Sequence, residues 1–104
     1  MYPSSMPTEY DAGTGAEPRP PRVRMYATAF CPYCVRARRL LKRKGVAWEE
    51  ISVDGNRERF QEMIQLANRT TVPQIFIGDL HVGGYDDMAA LERAGKLDPL
   101  LERT

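Results

Sequence analysis

No apolar run in this sequence approaches the roughly 20 residues that a membrane-spanning helix needs. Met1 to Arg22 has no apolar h-region of the kind a signal peptide carries. Neither sign of charge dominates: 15 Lys and Arg stand against 14 Asp and Glu, for a formal net charge of +1. That excludes a global field suited to nucleic acid or to an anionic membrane. Soft metal ligands are scarce, with two Cys and one His in 104 residues. The expected setting is the cytoplasm, where a cysteine pair serves redox or metal chemistry and not a structural staple. A chain of this length forms one domain with its own core, without help from metals or disulfides.

Composition changes near residue 21. Residues 1–21 are rich in Pro, Gly, Ser and Thr, with few large apolar side chains. They bury too little surface to offset the entropy of ordering, which predicts a disordered tail. Residues 22–104 carry the pattern of a folded domain. Val23, Met25 and Tyr26 predict a first strand. Val35 to Lys44 predicts a first helix, with Cys34, Ala37, Leu40 and Leu41 as an apolar stripe at helical spacing and Gly45 as its end. Residues 47–53 predict a second strand, and Asp54-Gly55-Asn56 a turn able to cap a helix after it. Phe60, Met63, Ile64 and Ala67 mark that second helix. Residues 74–77 and 80–82 form a strand pair around a Gly78-Asp79 turn. A third helix runs over 86–94, and Leu97, Leu100 and Leu101 predict a short last one. A strand–helix–strand unit gives a parallel pair, and the hairpin an antiparallel one. The fold class is therefore α/β, a four-stranded mixed sheet flanked by helices.

Both cysteines fall in Cys31-Pro32-Tyr33-Cys34, where the first strand gives way to the first helix. Cys31 takes the N-cap position and Pro32 the first helical position, which proline favours. The unpaired N–H groups of that turn and the helix dipole favour a thiolate. Cys34, one turn inside, lacks most of that help and lies on the buried stripe. The asymmetry assigns roles in thiol–disulfide exchange: Cys31 attacks, and Cys34 resolves the mixed disulfide. A zinc site fits poorly, because zinc takes four ligands and His81 is the only other soft candidate. No metal is expected. A structural disulfide here would close a tiny loop and remove little entropy. His81 is expected on the hairpin strand without a chemical role.

Three segments together resemble the signature of a dithiol glutaredoxin: Cys31 to Cys34, Thr70-Thr71-Val72-Pro73-Gln74-Ile75-Phe76-Ile77, and Gly83-Gly84-Tyr85-Asp86-Asp87. The resemblance runs from about Arg24 to the end and is strongest to small bacterial glutaredoxins of the third type. It implies a thioredoxin-like fold and a cis Val72-Pro73 bond. That bond would leave the Val72 N–H and C=O beside Cys31 for pairing with an extended peptide. Glutathione is such a peptide. The resemblance implies contacts to it from Tyr33, Thr71, Val72, Pro73, Gly84, Tyr85, Asp86 and Asp87. The N–H groups at the start of the third helix would take its γ-glutamyl carboxylate, and Asp86 its ammonium. Asp86 and Asp87 also serve as ordinary helix caps.

One departure matters. Many members carry a lysine near the position of Thr28, whereas this chain reads Ala27-Thr28-Ala29-Phe30. The glycyl carboxylate must then find another cation, and Arg69 and Arg36 are the candidates. The basic run Arg36, Arg38, Arg39, Lys42, Arg43 and Lys44 is otherwise a solvated helix face, without the aromatic interleaving of a nucleic-acid site.

The resemblance implies a monomer with no tightly bound cofactor and glutathione as co-substrate. Its partners would be glutathionylated or disulfide-bonded proteins, with glutathione reductase and NADPH acting indirectly upstream. Two alternatives come from other classes. An iron–sulfur carrier, with two chains sharing a cluster, is disfavoured by Pro32 and Cys34. A partner of thioredoxin reductase is disfavoured by the Pro-Tyr redox loop and the Gly-Gly-Tyr-Asp-Asp segment.

Overall fold

The computed structural model describes residues 22–102; the expectation of a disordered tail over 1–21 lies outside the described residues. Strand β1 (Val23–Ala27) leads into helix α1 (Pro32–Arg43), followed by β2 (Trp48–Ser52) and α2 (Arg57–Ala67). The hairpin β3 (Gln74–Ile77) and β4 (Leu80–Gly83) comes next, then α3 (Tyr85–Arg93) and α4 (Leu97–Glu102). The sheet order is β2-β1-β3-β4, with β1 parallel to β2 and antiparallel to β3, and β3 antiparallel to β4. This is the mixed four-stranded sheet expected from the residue pattern.

Alternation along the strands divides the core between the two faces of the sheet. Val23, Met25 and Ala27 of β1 and Ile75 and Ile77 of β3 pack with Cys34, Ala37, Leu40 and Leu41 of α1, Met88 of α3 and Leu97 and Leu101 of α4. Tyr26 and Phe76 face the other way, against Met63 and Ala67 of α2. One face therefore carries α1, α3 and α4, and the other α2.

Local chemistry sets the element ends. Cys31 is extended at the N-cap of α1 and Pro32 occupies the first turn. At the other end, Lys44 N–H donates to the Leu40 carbonyl at 3.1 Å. Gly45 then takes a positive φ of +72°, as the sequence predicts. Asn56 caps α2 with its side-chain oxygen, accepting from the Arg59 N–H at 3.1 Å. Helix α1 starts at Pro32, ahead of the Val35 start that the residue pattern predicts; Pro32 and Tyr33 are exposed and so leave no mark in the apolar periodicity.

On the α2 face, Tyr26 is fully buried, edge-on to Phe76 with ring centroids 6.0 Å apart. Its hydroxyl donates to the Glu62 carboxylate. Burial, then the hydrogen bond and charge of Glu62, push the phenol up to about 12 from 10.0. The native state thus holds a proton that the unfolded chain loses, and stability should fall as pH rises between these two values. Chemical denaturation across that window is the measurement. Tyr26→Phe should reduce the dependence, with the raised Cys34 and Lys44 supplying the remainder, and an unchanged slope would contradict the assignment.

Candidate active site

Cys31 is half-buried at the C-terminal end of the β1–α1 connection, and both thiols are free. Its sulfur lies 3.9 Å from the Val72 carbonyl oxygen, across from the bond that precedes Pro73. The Val72-Pro73 peptide is cis, as the resemblance implies. Burial raises the Cys31 thiol. Hydrogen bonds from the Cys34 and Tyr33 backbone N–H groups and the Cys34 thiol, together with the Arg38 charge, lower it. The lowering effects win, so Cys31 sits below the ordinary cysteine value. Cys34 is fully buried, and burial pushes its thiol up, with the hydrogen bond and charge of Cys31 adding to the rise. Only Cys31 combines exposure with thiolate character, which is the asymmetry inferred from its N-cap position.

Beside Cys31 lies a cleft of about 370 Å³. It is lined by Tyr33 from α1, by Arg69, Thr71, Val72 and Pro73 from the α2–β3 connection, and by Gly84, Tyr85, Asp86 and Asp87 at the start of α3. The eight positions expected to touch glutathione therefore meet around one cavity, although they are scattered over more than fifty positions of sequence. A larger cleft of about 580 Å³ opens near the start of α2, lined by Val53, Gly55, Asn56, Arg57, Phe60 and Gln61. It contains no thiol, and Arg57 is its only charged side chain, so it offers no equivalent chemistry.

Within the first cleft the two aspartates differ. Asp87 accepts the Gly84 N–H at 2.9 Å and pairs with Arg69 at 3.0 Å. The Gly84 N–H and then Arg69 hold its carboxyl below the usual carboxylate range. Asp87 is thus a cap, while the exposed Asp86 side chain has no hydrogen-bond partner among the described residues. Of the two cations considered for the glycyl carboxylate, Arg69 lines the cleft and Arg36 does not. The Arg36 guanidinium instead lies over the Tyr33 ring, 5.5 Å from its centroid.

Sequence reasoning missed the residues that brace the approach to Cys31. In the sequence Arg38 reads as one more solvated cation. Its Nη2 donates to the Thr28 carbonyl at 2.8 Å and to Glu50 at 2.6 Å, and its Nε donates to Glu50 at 2.9 Å. Asp54 accepts the Ala29 N–H at 2.9 Å. The missed signal is spacing: Arg38 follows Cys34 by four residues and precedes Leu41 by three, so it borders the buried stripe.

A model of the glutaredoxin family matches residues 23–82. The chain belongs to the glutaredoxin family. It is 60% identical over 81 residues to a glutaredoxin of Pseudomonas aeruginosa, covering 78% of this chain and 96% of that one. Glutaredoxin 3 of Escherichia coli K12 is 52% identical over 80 residues, covering 77% and 96%. Among solved structures, a buckwheat glutaredoxin–glutathione complex superposes with a TM-score of 0.74 at 29% identity, covering 80% of this chain and 78% of that one. The Brucella melitensis glutaredoxin gives 0.68 at 52% identity, covering 76% and 86%. This chain is a thiol–disulfide oxidoreductase on a thioredoxin-like fold, and Cys31 and Cys34 lie close together as a Cys-x-x-Cys pair. No helix among the described residues is long and apolar enough to cross a membrane.

Proposed function

We propose that this glutaredoxin reduces protein–glutathione mixed disulfides and protein disulfides, with glutathione as the electron donor. The observation that carries the reading is the cleft beside Cys31, which joins the Val72-Pro73 backbone to the N-terminus of α3. The glutathione complex of the buckwheat relative supports it. An extended γ-glutamyl peptide would pair with the Val72 backbone as an added strand. Its α-carboxylate would meet the first N–H groups of α3, where the helix dipole favours an anion. Asp86 would take its ammonium, and Arg69 its glycyl carboxylate.

The Cys31 thiolate attacks the glutathionyl sulfur of a mixed disulfide. A Cys31–glutathione disulfide forms, and the protein sulfur leaves as a thiolate that takes a proton from water. A second glutathione thiolate then attacks the glutathionyl sulfur, which releases glutathione disulfide and restores the Cys31 thiolate. With a protein disulfide, Cys31 becomes bonded to one protein sulfur. Cys34, once deprotonated, attacks the Cys31 sulfur and expels that protein thiolate, which leaves a Cys31–Cys34 disulfide. Two glutathiones reduce it, and an NADPH-dependent reductase recycles their disulfide. Glutathione is a co-substrate in this cycle.

Two coupled assays run side by side test the proposal. One supplies a glutathionylated peptide, glutathione and glutathione reductase; the other supplies thioredoxin reductase and the same protein. Turnover is expected in the first. Turnover confined to the second would overturn the glutathione assignment.

A further inference from the structure

We propose that Gln74 and His81 are positioning residues, whose hydrogen-bond relay turns the Thr71–Val72 peptide so that the Val72 N–H faces the cleft. The relay deepens the glutathione reading above and rests on it for the identity of the peptide that pairs with Val72.

The chain of contacts starts in the core. Gln74, the first residue of β3, is a fully buried polar side chain. Its Nε2 donates to the Thr71 carbonyl at 3.0 Å, with Thr71 Oγ1 at 3.3 Å. A carbonyl oxygen only accepts, so the amide cannot sit the other way round. Its Oε1 is thereby turned to His81 Nε2, 2.7 Å away. That oxygen also only accepts, which requires the proton of His81 to be on Nε2. Stacking on Phe76 holds the imidazole, with ring centroids 4.8 Å apart and planes at 29°. Phe76 and His81 are cross-strand partners in the β3–β4 ladder.

The far end of the relay reaches the substrate side. Val72-Pro73 is the one cis bond among the described residues, so the Thr71–Val72 peptide is trans. In a planar trans peptide the C=O and N–H point in opposite directions. Holding the Thr71 carbonyl toward buried Gln74 therefore sends the Val72 N–H away from the core. Val72 lines the cleft, and its N–H has no partner among the described residues. The Val72 carbonyl is the group 3.9 Å from the Cys31 sulfur. Without the His81 donor, Gln74 Oε1 would be buried and unpaired. The amide would then gain by rotating away from Thr71, and the peptide plane would lose its anchor.

Two substitutions separate this role from packing. His81→Phe keeps a ring on Phe76 and removes the donor. His81→Gln removes the ring and returns an amide N–H within reach of the Gln74 Oε1. His81→Phe should raise KM for a glutathionylated peptide about tenfold, the effect of roughly one lost hydrogen bond to a buried group. It should leave kcat within about twofold and the alkylation rate of Cys31 unchanged, while His81→Gln restores KM. The Val72 amide resonance should shift in His81→Phe and stay near its wild-type position in His81→Gln, with no substrate present. The reverse ranking, or a wild-type KM and Val72 amide resonance in His81→Phe, would overturn the relay. The unaltered protein gives a check that does not depend on either variant folding. Nitrogen-15 spectra of the neutral imidazole should show Nε2 protonated, and an Nδ1-protonated ring would overturn the relay. Failure of the wild-type protein to use the glutathionylated peptide, with tautomer and Val72 shifts as expected, would overturn the glutathione reading and support the relay.

Discussion

Replacing Cys31 by Ser is expected to abolish reduction of both substrate types, by about a thousandfold or more, since the attacking atom itself is lost. Replacing Cys34 by Ser should divide them. Turnover of a glutathionylated peptide should stay within about threefold of wild type, because that cycle uses one protein sulfur. Reduction of a protein disulfide should fall by about a hundredfold or more, because the mixed disulfide then has no internal thiol to resolve it. The geometry underlies the division. Cys34 is fully buried and cannot meet a protein substrate, whereas Cys31 is half-exposed beside the cleft. Serine also keeps a hydroxyl where the Cys34 thiol donates to Cys31, so one of the groups that lowers the Cys31 thiol survives. Steady-state kinetics with the two substrates are the measurement. Equal loss of both activities in Cys34→Ser would contradict the roles.

Gly83→Ala is the second large effect. Gly83 is buried at the end of β4 with φ +116°, a backbone conformation that side-chain-bearing residues rarely adopt. A methyl group there would come within 2.8 Å of the Asp87 carboxyl carbon. Asp87 would have to leave the Gly84 N–H and Arg69, which uncaps α3 at the point where the ligand is proposed to bind. Backbone strain and a lost cap together should cost about 2–4 kcal/mol. Each kcal/mol lowers the melting temperature of a domain this size by roughly 4–8 °C. The neighbouring substitution is the control. Gly84 has ordinary extended backbone, and a methyl there would meet the Pro73 carbonyl at 3.5 Å and an Asp87 carboxylate oxygen at 3.9 Å, both ordinary van der Waals contacts. Gly84→Ala should cost less than about 1 kcal/mol. Calorimetry of the two variants checks the difference, and equal melting temperatures would contradict the steric account.

The range of each interaction decides whether the sequence discloses it or hides it. Cap chemistry is local, so Cys31 with Pro32, Gly45 and Asn56 mark helix ends that the structure contains. Periodicity is nearly as local, and it places Met25, Leu41 and Met63 in the core. The three site segments are legible as motifs, but their meeting around one cavity is a tertiary event. No spacing rule brings residues 33, 72 and 86 together without the sheet order β2-β1-β3-β4. Arg38 is hidden by its company: Arg36, Arg39, Lys42 and Arg43 are exposed, and a run of cations reads as one solvated face. His81 is hidden by register. It lies opposite Phe76 in the regular register about the Gly78-Asp79 turn, but its contact with the buried Gln74 amide, seven residues away, forms only once the two strands have paired.

The most direct test of a glutathione-linked Cys31 is a trapping experiment. Cys34→Ser, mixed with a glutathionylated peptide in the absence of free glutathione, is analysed by intact mass spectrometry under non-reducing conditions. The expected product carries the mass of one glutathionyl group, localised to Cys31, with the peptide released as its thiol. An adduct carrying the peptide, with free glutathione in solution, would mean that Cys31 attacks the other sulfur, and would contradict a cleft that holds glutathione.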